Sequence, residues 1–314
     1  MTRVARSLAE ASGFGPCAVA IGVFDGVHLG HQELLRRTVE AARELGVKPA
    51  VLTFDPHPAC VVAPGRAPRL LYSIEERCEL LTRFGAGEIL VLPFNTDVAA
   101  MPADDFAAGP LRTVLRAKSI LVGADFRFGF QRAGTVDTLR QMGFDVRPLA
   151  AVTYRGSIVS SSEIRRRIET GDIARAGRLL GRAYAIAGDI VSGQGIGRKQ
   201  TVPTLNLRTG AEVLPASGVY VTRTTDPGTG QQWNSVTNIG TRPTFENAGA
   251  LSVETFLLEP LTGSSPLNIR LEFLHRVRDE RRFETPEALK TQILRDVSTA
   301  QAYFRRCIRW NQVL

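Results

Sequence analysis

Cysteine is scarce in this 314-residue sequence: Cys17, Cys60, Cys78 and Cys307 lie far apart and form no CxxC pair. Such spacing argues against a zinc site or a disulfide framework and suits a reducing compartment. No stretch approaches the roughly 20 apolar residues needed to span a bilayer, so no membrane partner is expected. Internal repeats and low-complexity linkers are missing as well. Arg3 and Arg6 hint at a leader, but the following run ends at Asp25 with no small-residue cleavage site. It reads as a first strand, and a cytoplasmic protein is expected. Histidine is equally sparse, at four residues.

Charge is plentiful by contrast. The formal net charge is +8, which favours anionic partners. The arginines are not interleaved with aromatics and no nucleic-acid-binding motif is present, so nucleic acid is not expected; a soluble basic surface and small phosphorylated ligands explain the charge equally well. The length suits two domains. Oligomeric state is not legible.

The first half alternates two kinds of segment. Short apolar runs at 18–23, 50–54, 88–93 and 119–122 suit buried parallel strands. Between them, 31–45 places Leu34, Leu35, Thr38, Val39 and Ala42 on one helical face. The segment 73–84 opens with Ser73-x-x-Glu76, a capping box that satisfies free N–H groups of a first turn. This alternation predicts an α/β domain with an open parallel sheet, whose ligands sit beyond the carboxyl ends of the strands. After Gly181 the runs at 184–191, 219–223, 236–239, 252–258 and 268–274 are separated by Gly, Pro and Asn, the sign of an antiparallel barrel or sandwich. A closing helix is expected from Thr285 as N-cap and Pro286 at the first position, with Leu289, Ile293 and Val297 as its docking stripe. The domain boundary is placed between 1–182 and 183–314.

The decamer GVFDGVHLGH, residues 22–31, falls at the end of the first strand. Asp25-Gly26 makes a tight turn, Gly30 allows a ligand close to the backbone, and His31 enters the first helical turn, where unpaired N–H groups favour an anion. Metal binding, a structural role and phosphate binding are the three readings of His28 and His31. A metal would need further ligands, and only Asp25 is near, so phosphate is preferred.

This decamer resembles the HxGH signature of nucleotidyltransferases, in the GxFDGxHxGH form of the prokaryotic FAD synthetase family. Three further segments follow in order: TFDPHP at 53–58, GADFRFG at 123–129 and VSSSEIR at 159–165. Their counterparts in that family are TFDPHP, GxxFxFG and SSTxIR. The resemblance implies a Rossmann-like nucleotidyltransferase domain that moves the adenylyl group of ATP onto the phosphate of FMN. It implies that His28 and His31 donate to the reacting phosphates, that Arg165 holds the outer phosphates, and that Gly22, Phe24, Asp25, Gly26, Gly30, His57, Asp125, Ser161 and Ser162 contact the nucleotide or its metal. Ser160-x-x-Glu163 also forms a second capping box beside the cluster Arg165, Arg166 and Arg167.

The second half holds GDIVSGQGIGR at 188–198 and then VPTLNL at 202–207. Glycine-rich turns let a backbone approach phosphate, here through Gly193, Gly195, Gly197 and Arg198. In an extended segment Thr204 and Asn206 point to one side and offer two oxygens to a hard cation such as Mg²⁺. With NIGTRPTF at 238–245 and VET at 253–255, this order resembles the riboflavin kinase half of bifunctional flavin synthetases, a six-stranded Greek-key barrel with a terminal helix. Leu205 stands where that family usually has Ala and points away from the cation side. The resemblance implies that Asn238 contacts the ligand and that Glu254 is the base. Phe256 and Leu258 share the face of Glu254, so partial desolvation of its carboxylate is expected. The expected activity is phosphorylation of riboflavin to FMN by ATP, then adenylylation to FAD. The alternatives are an FMN adenylyltransferase with a weakened kinase and a flavin- or nucleotide-binding protein without catalysis.

Overall fold

A strand covered by helices on both faces has to be apolar throughout, and Cys17–Ile21 is buried at all five positions. The protein is described here by a computed structural model covering residues 2–191, 204–241, 251–261 and 264–309. Two units divide the chain, Met1–Ser161 and Ser162–Leu314.

The first unit runs β1 (Arg3–Ala5), β2 (Cys17–Ile21), α1 (Leu29–Leu45), β3 (Lys48–Asp55), α2 (Pro58–Val62), α3 (Ile74–Arg83), β4 (Glu88–Pro93), α4 (Thr96–Ala100), α5 (Ala103–Phe106), β5 (Ala117–Gly123), α6 (Val136–Gln141) and β6 (Val146–Leu149). A small hairpin of β7 (Thr153–Tyr154) and β8 (Ser157–Ile158) follows. β1 to β6 form a parallel sheet in the order β1-β4-β3-β2-β5-β6. The direction of winding reverses beside β2, which pairs with β3 on one side and β5 on the other. Alternate residues of β2 feed two cores. Val19 and Ile21 pack with Phe106, Leu111 and Leu115, while Ala18 and Ala20 pack with Leu34, Leu35, Ile74 and Leu81. Ser73 and Glu76 form the expected capping box on α3.

β1 and β6 are additions to the strands expected from sequence. Both are edge strands, half exposed, and β6 carries Pro148. Edge strands lack the continuous apolar run that marks a central one.

The second unit begins with α7 (Ser161–Glu169), whose first residue belongs to the first unit, and α8 (Ile173–Leu180). Six strands then close into an antiparallel barrel: β9 (Tyr184–Val191), β10 (Thr204–Thr209), β11 (Gly218–Thr225), β12 (Gln232–Thr241), β13 (Leu251–Leu257) and β14 (Asn268–Asp279). α9 (Pro286–Arg309) ends the described chain. Thr285 caps it as expected, its hydroxyl accepting from the Ala288 N–H at 3.2 Å. Of the expected docking stripe Ile293 and Val297 are half-buried, but Leu289 is not covered. Leu289 is 42 % exposed, and the contact is made by Ala300 and Phe304 against Val219, Val221 and Val236. A polar clasp adds to it: buried Asp296 accepts from Arg278 Nη2 at 2.7 Å and from Gln292 Nε2 at 2.7 Å.

Removing one partner of a buried ion pair leaves the other charge uncompensated, at a cost of about 3 kcal/mol or more. Asp296→Ala should therefore lower the denaturant midpoint of the barrel clearly, whereas Leu289→Ala should leave it nearly unchanged. A stripe docked through Leu289 would give the opposite order in the same urea titration.

Candidate functional site

β2 ends at Ile21, and the chain then turns through three left-handed residues, Phe24 (φ 56°), Gly26 (φ 83°) and Val27 (φ 39°). Left-handed backbone is rare for side chains of this size and points to a loop whose shape is imposed by its surroundings. Phe24 and Val27 are fully buried, so their side chains anchor the turn. His28 follows as the N-cap of α1, with φ −75° and ψ 175°. His31 lies one turn in, and the two imidazoles stack with centroids 3.7 Å apart and planes inclined by 16°. Phe24 supports His31 at 5.1 Å. The stacked pair thus sits where first-turn N–H groups have no intrahelical acceptor.

Two glycines of the decamer stand close to side chains of the motif itself. A Cβ at Gly30 would lie 3.2 Å from His28 Cε1, and one at Gly22 would lie 3.3 Å from the Phe24 ring. Each glycine makes room for a neighbour within the motif itself. Asp25 is buried, and its Oδ1 accepts from the Leu71 N–H at 2.9 Å. Ser161 Oγ donates to the Asp25 carbonyl at 2.8 Å. These contacts draw Gly22, Phe24, Asp25, Gly26, Gly30 and Ser161 into one structure around the histidines.

His57 caps α2 after β3, accepting from the Ala59 N–H at 3.0 Å. Asp125 is exposed on the loop after β5. The loops after β2, β3 and β5 therefore all leave the carboxyl edge of the sheet, beside the point where winding reverses. That crevice is where open parallel sheets bind their ligands. Ser162 and Arg165 lie on α7 in the second unit; Arg165 is half-buried. Glu163 engages Arg166 at 2.7 Å and Arg167 at 2.7 Å, and these bonds hold its carboxyl below the usual range. Among the described residues no group of three or more His, Cys, Asp or Glu could hold a metal ion.

The barrel brings a second set together by register. Asn206 on β10 lies directly opposite Glu254 on β13, and Glu254 lies opposite Asn238 on β12. Directly opposite residues share a face, so the three side chains form one row. Thr204 pairs with Phe256 and joins the same face, while Leu205, opposite Thr255, is turned inward and 5 % exposed. Asn206, Glu254 and Asn238 are half-buried and Thr204 is exposed. Sequence reasoning gave Glu280 no role of its own. A Cβ at Gly240 would collide with the Glu280 carboxylate and come within 3.2 Å of Asn238 Nδ2, so Glu280 adds a second acid beside this row. Gly193, Gly195, Gly197 and Arg198 lie outside the described residues.

Behind the row the barrel interior carries a ladder of hydroxyls. Thr222 meets Ser235 at 2.8 Å and Thr237 at 2.7 Å, and Thr237 meets Thr255 at 2.5 Å. All four are fully buried.

A parallel sheet with a stacked histidine pair at its switch point, and a closed barrel with an acid between two amides, define a two-part protein of the nucleotidyl- and phosphoryl-transfer type. Family models agree part by part: FAD synthetase matches residues 11–163 and riboflavin kinase residues 180–304. The bifunctional riboflavin kinase/FMN adenylyltransferase of Pseudomonas fluorescens is 36 % identical over 290 residues, 91 % of this chain and 92 % of that protein. The protein of the same description from Haemophilus influenzae is 34 % identical, over 92 % of this chain and 94 % of its own length. The chain belongs to the bifunctional riboflavin kinase/FMN adenylyltransferase family. A crystal structure titled as a macrolide-efflux protein from Streptococcus pneumoniae is also similar, at 27 % identity and a TM-score of 0.84, covering 96 % of this chain and 98 % of that one. No helix among the described residues is long and apolar enough to cross a membrane.

Ala favours a helix over Gly by about 1 kcal/mol, so Gly30→Ala should keep or raise the melting temperature. Its Cβ should nonetheless shift the His28 ring by a few tenths of an ångström against its partner in the stack. Imidazole NMR signals of His28 and His31 that match the parent's would show that the space at Gly30 is not needed.

Proposed function

We propose that this chain makes both flavin cofactors: the barrel phosphorylates riboflavin to FMN with ATP, and the parallel-sheet part transfers the adenylyl group of a second ATP to FMN, giving FAD and pyrophosphate. The first activity is assigned to 183–314 and the second to 1–182, in a cytoplasmic enzyme whose substrates are riboflavin, FMN and ATP. One observation carries the reading: strand register sets Glu254 between Asn206 and Asn238 on one barrel face.

Phosphorylation of the ribityl 5′-hydroxyl needs a proton acceptor as its oxygen attacks the γ-phosphorus. Glu254 takes that proton. Thr204 and Asn206 supply neutral oxygen donors of the kind Mg²⁺ prefers, with carboxylates nearby, and the ion when bound would neutralise phosphate charge. Asn238 orients the reacting groups from the other flank. Adenylyl transfer differs, because the attacking FMN phosphate is already anionic and needs no base. His28 and His31, with the open N–H groups of the α1 first turn, align the α-phosphate and stabilise charge gathering on its oxygens. To Arg165 we assign the outer phosphates, and to Asp125, His57 and Ser162 nucleotide contacts, all on motif position. Asp25 shapes the loop, since its Oδ1 is engaged by Leu71.

The test is to incubate the protein with riboflavin, ATP and Mg²⁺ and to separate the flavins by chromatography. FMN and FAD should both accumulate; FAD from supplied FMN alone would mean that the kinase is lost, and neither product would refute the proposal. Glu254→Gln should slow FMN formation by about 100-fold or more while riboflavin still binds. The double variant His28→Ala, His31→Ala should make FMN but no FAD.

A further inference from the structure

Among the described residues Arg77 is the largest fully buried side chain, with 0 % of its surface exposed. It sits in the first half of α3, between Glu76 and Cys78. Instead of reaching water, its guanidinium points under the carboxyl edge of the sheet. Nη1 donates to the Val23 carbonyl at 2.8 Å and to the Phe54 carbonyl at 3.3 Å. Nη2 meets Asp55 Oδ1 at 3.4 Å. Among the described residues Nε has no hydrogen-bond partner. Burial disfavours its charge, and Asp25 and then Asp55 oppose that effect. Arginine stays protonated in proteins, so the cation is kept in place at a cost.

The acceptors make this costly group informative. Val23 is the last residue before the left-handed turn at Phe24, and its carbonyl also accepts from Thr53 Oγ1 at 3.1 Å. Phe54 and Asp55 close β3 and lead into Pro56 and His57. The loop with the stacked histidines and the loop with His57 therefore depart from one guanidinium. A planar fork reaches two carbonyls and a carboxylate at once; an ammonium group cannot match that geometry. The role would also explain why an apolar residue does not occupy so dry a site.

We propose that Arg77 is a positioning residue for adenylyl transfer, a buried clamp that joins the ends of β2 and β3 and so fixes where the His28–His31 pair stands. It touches no reacting atom. The proposal rests on the assignment of adenylyl transfer to this part of the chain, and its test includes a readout that does not.

Arg77→Ala and Arg77→Lys, in the full chain, are assayed for FAD formation from FMN, for FMN formation from riboflavin and for thermal melting. Misplacement of aligned groups by about 1 Å can cost about 100-fold in rate. Arg77→Ala should lower kcat for FAD formation by that order with KM for FMN changed less than about threefold, and free guanidinium should restore part of the rate. Arg77→Lys should remain impaired despite its charge. FMN formation by the barrel should stay within about twofold in both variants, a result that a general loss of folding would not give. With four histidines in the chain, imidazole NMR reports the pair directly, and the His28 and His31 signals should move while His275 does not. Signals that stay in place overturn the proposal, as does FAD formation within about threefold of the parent or a parallel fall of both activities. If the parent makes no FAD and the His28 and His31 signals still move, the adenylyltransferase reading fails and the clamp stands.

Discussion

The ladder hydrogen bonds that set Asn206 and Asn238 on either side of Glu254 determine whether the barrel can form the proposed site at all. Side chains alternate along a strand, so a slip of one residue would turn Glu254 inward and bring Thr255 to the outer face. The interior hydroxyls oppose that slip. Thr222, Ser235, Thr237 and Thr255 bond to one another across three strands and are sealed from water. Any shift would leave buried hydroxyls without partners, at about 1–3 kcal/mol each. A purely aliphatic interior would hold the barrel together with less insistence on register. The polar ladder is therefore a specificity device, and the outer row of amides and acid depends on it.

In the parallel-sheet unit the corresponding constraint is the left-handed turn after β2. Phe24 and Val27 in left-handed backbone cost about 1–3 kcal/mol each. Full burial of each side chain returns a comparable amount, about 1.5–3 kcal/mol. The turn is thus held by its apolar residues, while the motif glycines clear space for the rings of Phe24 and His28. Strain, packing and the histidine stack form one arrangement, fastened from below by Arg77 and from the side by Leu71 and Ser161.

The sequence discloses most readily what burial imposes on composition. The central strands of the sheet show as apolar runs because helices cover both their faces, and the capping residues of α3 and α9 are legible because their chemistry is local. β1 and β6 escape notice because an edge strand carries no such run. The docking face of α9 is misjudged at Leu289 because Asp296, a charged residue, supplies part of the contact through Arg278. Arg77 is invisible for the same reason: nothing in IEER distinguishes a buried guanidinium from a solvated one. The histidine pair, Glu254 and the Thr-x-Asn oxygens are legible through spacing and family resemblance. Their juxtaposition, and the part played by Gly30, arise from contacts that no linear pattern contains.

Under the proposed function, the two centres differ in a way that follows from their nucleophiles. A hydroxyl must lose its proton as it attacks, so the kinase centre needs a carboxylate with an unengaged oxygen on an open face, and Glu254 occupies such a face. An FMN phosphate brings its own negative charge, and a carboxylate beside it would repel it. In keeping with that, Asp25, the acid within the histidine motif, is buried and its Oδ1 is turned to the Leu71 backbone, while the imidazoles stand at the amino end of α1. At the reacting phosphorus the one arrangement supplies a base and the other donors, although both handle the same triphosphate. The acid is therefore placed in each centre by what attacks the phosphorus, and not by the ATP that the two reactions share.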